Sequence, residues 1–130
     1  MAEQFLYGQT PDKAEPVCKA EDILKIKEEV LKVTVNQSLL GYMEDIVTLT
    51  REEERFALGA SPRAMLALMR ASQARAFLQG RDYVKPDDVK AVAMQVLLHR
   101  LVLSSEARMQ KMGAESILRN LLFKAKVPVE

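Results

Sequence analysis

The stretch PRAMLALMRASQARAFL, residues 62–78, constrains this chain more than any other. Drawn on a helical period it is apolar nearly all the way round, and its alanines let neighbouring segments approach closely. A helix of that kind belongs at the centre of a bundle rather than on its surface, so the rest of the chain has to cover it. The rest is suited to that task. A chain of 130 residues forms one domain, and at that size it can bury roughly 65–70% of its unfolded surface. It has no tryptophan, only five glycines and five prolines, and is 48% hydrophobic. Alanine, leucine, methionine and lysine, which favour helices, predominate. The expected fold is all-α: a small bundle of four to five helices with short extended linkers.

The pattern along the chain places those helices. Residues 1–20 are polar, broken by Pro11 and Pro16, and read as an extended or poorly ordered lead-in, apart from the apolar cluster Phe5–Tyr7. The helical domain then occupies residues 21–130. Asp22 is placed to cap a first helix whose face is Ile23, Ile26, Val30 and Leu31. KVTVN, with its β-branched residues, suggests an extended connector. Asn36 can cap a second helix facing inward through Leu39, Leu40, Met43, Ile46 and Val47. The central helix ends at Gly80. RDYV is a short extended link, and Pro86 opens a fourth helix with Asp87 and Asp88 against its positive end. Val89, Val92, Ala93, Val96 and Leu97 face inward. RLVLSS is extended again, and a last helix over about 113–125 presents Ile117, Leu118, Leu121 and Leu122.

Charge and residue types exclude much. The net charge is +1 and the basic residues are scattered, so nothing calls for nucleic acid, an anionic membrane or an acidic substrate. No apolar run approaches the roughly 20 residues a membrane helix needs, and the start lacks the layout of a signal peptide. The single cysteine, Cys18, cannot form an intrachain disulfide, which points to a reducing, cytoplasmic setting. One histidine, His99, rules out a His-rich metal site, and the carboxylates show no ligand spacing. GxSxG, GxGxxG and GxxxxGK[ST] do not occur, so the chain has no phosphate cradle of its own. By itself it carries no catalytic machinery.

One segment departs from this plain picture. In GASPRA, Gly59 can take a positive φ and end the preceding segment. Ser61 is a good N-cap and Pro62 suits the first helical position. Arg63 then sits in the first turn, at the positive end of the helix, where a cation is mildly unfavourable. An arginine beside free helix-start N–H groups attracts an anion such as a phosphate. On spacing alone, an arginine reaching from a buried helix to the surface is the simpler account.

Read as a whole, LGASPRAMLALMRASQARAFLQGRDYVKPDDVKAVAMQVLLHRLVLS resembles the C-terminal lid of MoxR-type AAA+ ATPases. The likeness is dense in the blocks GASPRA, GRDYV.PDDV..VA and VL.HRL, and extends loosely from Ile23 to the closing VPV. The resemblance implies a helical lid that follows a nucleotide-binding α/β domain. It also implies that Arg63 is the sensor 2 residue, reaching towards the terminal phosphates of bound ATP, with Ser61 as the cap supporting it. ATP and Mg²⁺ would then belong to the full-length protein, and none to the chain alone. The phosphate-binding loop, the Mg²⁺-binding acidic motif and sensor 1 are not in the sequence. The chain reads as a lid apart from its core, and Phe5–Tyr7 as a remnant of the linker helix between them. Two positions depart from the family pattern: Lys85, before Pro86, is a poor N-cap, and REEER is unusually acidic.

The partners so implied are the chain's own AAA+ core and neighbouring subunits of a ring, usually a hexamer. The family is associated with chaperone-like maturation of protein complexes, often beside proteins containing von Willebrand A domains. Neither nucleic acid nor membrane is expected. The competing class is a stand-alone interaction bundle, or a helix-turn-helix module with KPDDVKAVAMQV as its recognition helix. Two aspartates at the start of that helix oppose a DNA contact. Elsewhere, His99 is expected to bond a backbone carbonyl at a helix end, with Arg100 beside it as a second interface candidate. Tyr83 should pack its ring on the bundle, Arg81 and Asp82 form a surface turn, and Met43, Met65, Met69 and Met94 fill the core. Met109 and Met112 have no assigned place.

Overall fold

The computed structural model describes residues 14–128. In chain order these form α1 (Ala20–Leu31), α2 (Gln37–Glu52), β1 (Phe56–Leu58), α3 (Pro62–Leu78), α4 (Pro86–Leu97), a 3-10 turn (Leu98–Arg100), β2 (Val102–Leu103), α5 (Ser105–Met109) and α6 (Ala114–Lys124). The expected bundle is present, with α3 at its centre, packed most extensively on α4 and also on α2 and α1. α6 closes the other side against α2 and α4.

The core follows the helical periods. Leu39, Tyr42, Met43, Ile46 and Val47 enter from α2, Ala64, Leu68 and Ala76 from α3, Val89, Ala93 and Leu97 from α4, and Ile117, Leu118 and Leu121 from α6. Small residues on the buried face of α3 allow the close approach of α4. The polar residues there are satisfied locally: the Ser72 hydroxyl donates to the Leu68 carbonyl at 2.8 Å, and the Gln73 amide donates to the Val33 carbonyl at 2.7 Å. Gln73 thereby holds the connector between α1 and α2 against the central helix.

The helix ends follow the capping rules, with one correction. Asn36 accepts from the Leu39 N–H at 2.8 Å, as its position predicts. Asp22 is not the N-cap of α1. Lys19 holds that position, and Asp22, three residues on, accepts the Lys19 N–H at 2.9 Å. Its carboxylate there lies in the first turn, at the positive end of the helix, where a negative charge is favourable. Gly80, at φ +71°, ends α3 in a Schellman arrangement, with Arg81 N–H on the Ala76 carbonyl and Gly80 N–H on that of Phe77.

The linkers pair with one another rather than merely connecting. β1 and β2 form an antiparallel ribbon with Phe56 opposite Leu103, and Thr34 bridges Tyr83 in parallel. Short α5, capped by Ser104, lies in a stretch for which the sequence suggested no element. The largest departure is α1. Its expected inward face is not buried: Ile23 is 47% exposed, Ile26 43% and Leu31 55%. The helix lies against α3 across a shallow apolar groove lined by Ile26, Val30, Leu31, Ala74, Phe77 and Leu78.

Residues 14–19 form no helix or strand. Most of the lead-in, including the Phe5–Tyr7 cluster, lies outside the described residues. Among the described residues no helix is long and apolar enough to cross a membrane.

Candidate functional site

The N-terminus of α3 is the candidate site. Ser61 has extended backbone angles (φ −81°, ψ 165°), and its hydroxyl accepts the Ala64 N–H at 3.3 Å. Pro62 contributes no N–H. That leaves the Arg63 N–H as the donor of the first turn with no acceptor among the described residues. The helix start therefore offers fewer free N–H groups than the sequence suggested, because the serine and the proline remove the others. The Arg63 side chain is exposed and makes no ion pair among the described residues. The first turn of α3 carries no acidic residue that could neutralise it.

The segment leading into this turn is held by the end of α2. Thr50, fully buried, donates its hydroxyl proton to the Val47 carbonyl at 2.7 Å and accepts the Ala60 N–H at 2.9 Å. The Arg51 Nε–H donates to the Ala60 carbonyl at 2.7 Å. Gly59 lies against the same turn without a positive φ, contrary to expectation. It is glycine for want of space: a Cβ there would lie 2.6 Å from the Thr50 carbonyl oxygen and 2.7 Å from the Arg51 Cα. The ribbon supports the other side, with Ser104 N–H donating to the Arg55 carbonyl at 2.8 Å.

The acidic run before the site does not neutralise Arg63. Glu53 pairs with Arg55, Nη2 to Oε2 at 2.7 Å, and the Arg55 hydrogen bonds outweigh burial to hold its carboxyl below the usual range.

A second polar cluster lies at the opposite end of α3. Arg81 and Asp82 were expected to form a surface turn, and the PDD carboxylates to be solvated or dipole-paired. Asp88 is instead 3% exposed and accepts two parallel bonds from the Arg81 guanidinium, each 2.7 Å, plus the Lys85 N–H at 2.8 Å. The Schellman turn at Gly80 brings Arg81 there. Burial pushes the Asp88 carboxyl up, but Arg81, the Lys85 N–H and Arg75, at 3.7 Å, together hold it below the ordinary value. This cluster pins the α3–α4 connection, and Asp88 takes the N–H of Lys85, which itself makes no side-chain cap. The spacing from Lys85 to Asp88 was the available signal, the second half of a capping box.

The remaining singled-out residues have plain surroundings. His99 meets the Gln95 carbonyl through Nδ1 at 3.2 Å, as expected, and Arg100 through Nε2 at 2.8 Å. Tyr83 is half-exposed, with the Arg81 guanidinium 5.9 Å and the Lys85 Nζ 5.6 Å from its ring centre. Met43 is buried, and Met65, Met69 and Met94 pack against the core. Met109 and Met112 are exposed, as is the Cys18 thiol.

A family profile described as AAA lid domain matches residues 48–121. YeaC, an uncharacterised protein of Bacillus subtilis, is 42% identical over 116 residues, spanning 89% of this chain and 36% of that protein. The chaperone MoxR1 of Mycobacterium tuberculosis is 34% identical over 133 residues, spanning 95% of this chain and 35% of its own length. The solved structure of a candidate ATPase from Cytophaga hutchinsonii superposes with a TM-score of 0.78 at 35% identity, covering 84% of this chain and 36% of that one. The chain therefore spans about a third of the length of each of these relatives.

Proposed function

Because the chain belongs to the AAA lid domain family and is a lid of the MoxR type, we propose that it closes over ATP held by an AAA+ core, with Arg63 as the sensor 2 residue. The observation that carries this reading is the state of Arg63: an exposed guanidinium beside its own N–H, both without a partner among the described residues, at a helix start fixed from behind. A guanidinium of that kind can form charge-assisted, two-pronged bonds to a phosphate, and the helix terminus adds to the attraction. ATP and its Mg²⁺ are bound by the core in this reading. The lid contributes one cation and one N–H.

Arg63 engages phosphate only while the lid is closed, and hydrolysis weakens that hold. The lid then rotates, and in a ring, usually of six, the rotation changes the shape of the assembly. The work served is chaperone-like maturation of protein complexes in the cytoplasm, beside partners such as von Willebrand A domain proteins. The name of MoxR1 as a chaperone supports the chaperone element of the reading alone.

Substitution in the intact ATPase that carries this lid tests it. Arg63→Ala should lower ATP turnover at least about tenfold, the scale of one lost charge-assisted contact in a transition state. The melting temperature of the lid chain should stay within about 2 °C, since exposed positions rarely contribute more. Turnover equal to wild type would remove the sensor role.

A further inference from the structure

We infer that Arg51 and Thr50 are positioning residues for Arg63: from the last turn of α2 they hold both polar groups of Ala60, and so fix the direction in which α3 begins. The inference rests on the sensor 2 reading and adds residues to it that make no contact with phosphate.

Three observations carry it. Arg51 is followed directly by Glu52, Glu53 and Glu54, yet its Nε–H is given to a backbone carbonyl nine residues away. That carbonyl belongs to Ala60, immediately before the Ser61 cap. An arginine at the end of a helix ordinarily serves its own helix's terminal carbonyls or a nearby carboxylate. Here it spans to the segment that leads into the next helix.

The second observation is the Thr50 hydroxyl. It is anchored to Val47 within α2 and takes the Ala60 N–H from inside the core. Ala60 is 1% exposed, so water cannot replace either partner freely. The third is Gly59, whose missing Cβ lets the two backbones touch. The end of α2 and the first turn of α3 therefore move as one body. Arg63 lies three residues beyond the clamped peptide, and its reach is set by that turn. Misplacement of a catalytic contact by about 1 Å can cost on the order of a hundredfold in rate.

The test is a coupling measurement in the intact ATPase. Arg51→Met and Thr50→Val should each lower kcat roughly tenfold, with KM for ATP changed less. In an Arg63→Ala background the same changes should lower kcat further by less than about twofold, because a positioning residue has nothing left to position. Arg51→Lys, which keeps the cation but moves the donor, gives the same comparison should Arg51→Met fold poorly.

A loss of the same size in both backgrounds would mean general damage, and would overturn the inference. Wild-type turnover in the Arg51 and Thr50 variants, with Arg63→Ala impaired, would overturn it and leave the sensor reading intact. A silent Arg63→Ala would remove the sensor reading, and this inference with it.

Discussion

Two glycines show how far a residue's role depends on its neighbours. Gly59 looks like a turn glycine in the sequence, since it stands between a helix and a Ser-Pro start. Its φ is ordinary, and what it avoids is collision with the backbone of Thr50 and Arg51. Gly41 sits inside α2 with nothing within 4 Å of the position a Cβ would take. The same substitution should therefore act in opposite directions. Gly59→Ala should destabilise the chain by about 2–3 kcal/mol through overpacking, whereas Gly41→Ala should stabilise it by about 0.5–1 kcal/mol through helix propensity. Thermal melts of the two variants decide this, and shifts of the same sign would contradict it. At this scale Arg63 and Ser61 were legible, because a cap and a charge at a helix start are local facts. Arg51 and Thr50 were not, since their partner lies in a different element.

Among the elements, α2, α3, α4 and α6 were readable because each carries a clear apolar period and a recognisable start. The extended stretch that holds β2 was readable too, but α5, β1 and the pairing of the two strands were not. All are short, and the strands exist because Phe56–Leu58 and Val102–Leu103 find each other across the fold. α1 presents the reverse case. Its period is good, yet none of its residues is buried. Its stability rests on one side of contact with α3, and on the connector that Gln73 holds at Val33. The backbone amides of α1 should therefore exchange at least about a hundredfold faster than those in the middle of α2 and α4, as expected for a locally opening segment. Equal protection, followed by hydrogen exchange, would show that α1 opens only with the whole domain.

The whole molecule is held at the far end of α3 by the Arg81–Asp88–Arg75 cluster, and this gives stability a defined pH dependence. Asp88 titrates below its unfolded value, near 4, so the stabilisation is fully present above that pH and is lost as pH falls through the lower folded value. Acid should thus weaken the wild type progressively below about pH 4. Asp88→Asn should be less stable at pH 7, because it removes the buried carboxylate charge that the half-buried Arg81 guanidinium pairs with. It should also lose less on acidification, and denaturant melts at pH 7 and pH 3 would show whether it does. The helical class, the central place of α3 and the position of Arg63 follow from sequence alone, because periodicity, capping and charge are properties of adjacent residues. Tertiary structure decided that Gly59 lies beneath Thr50, that Arg51 reaches Ala60 and that Arg81 meets Asp88. Those pairs form where separate elements cross, and the place of a crossing is set by how side chains pack between helices.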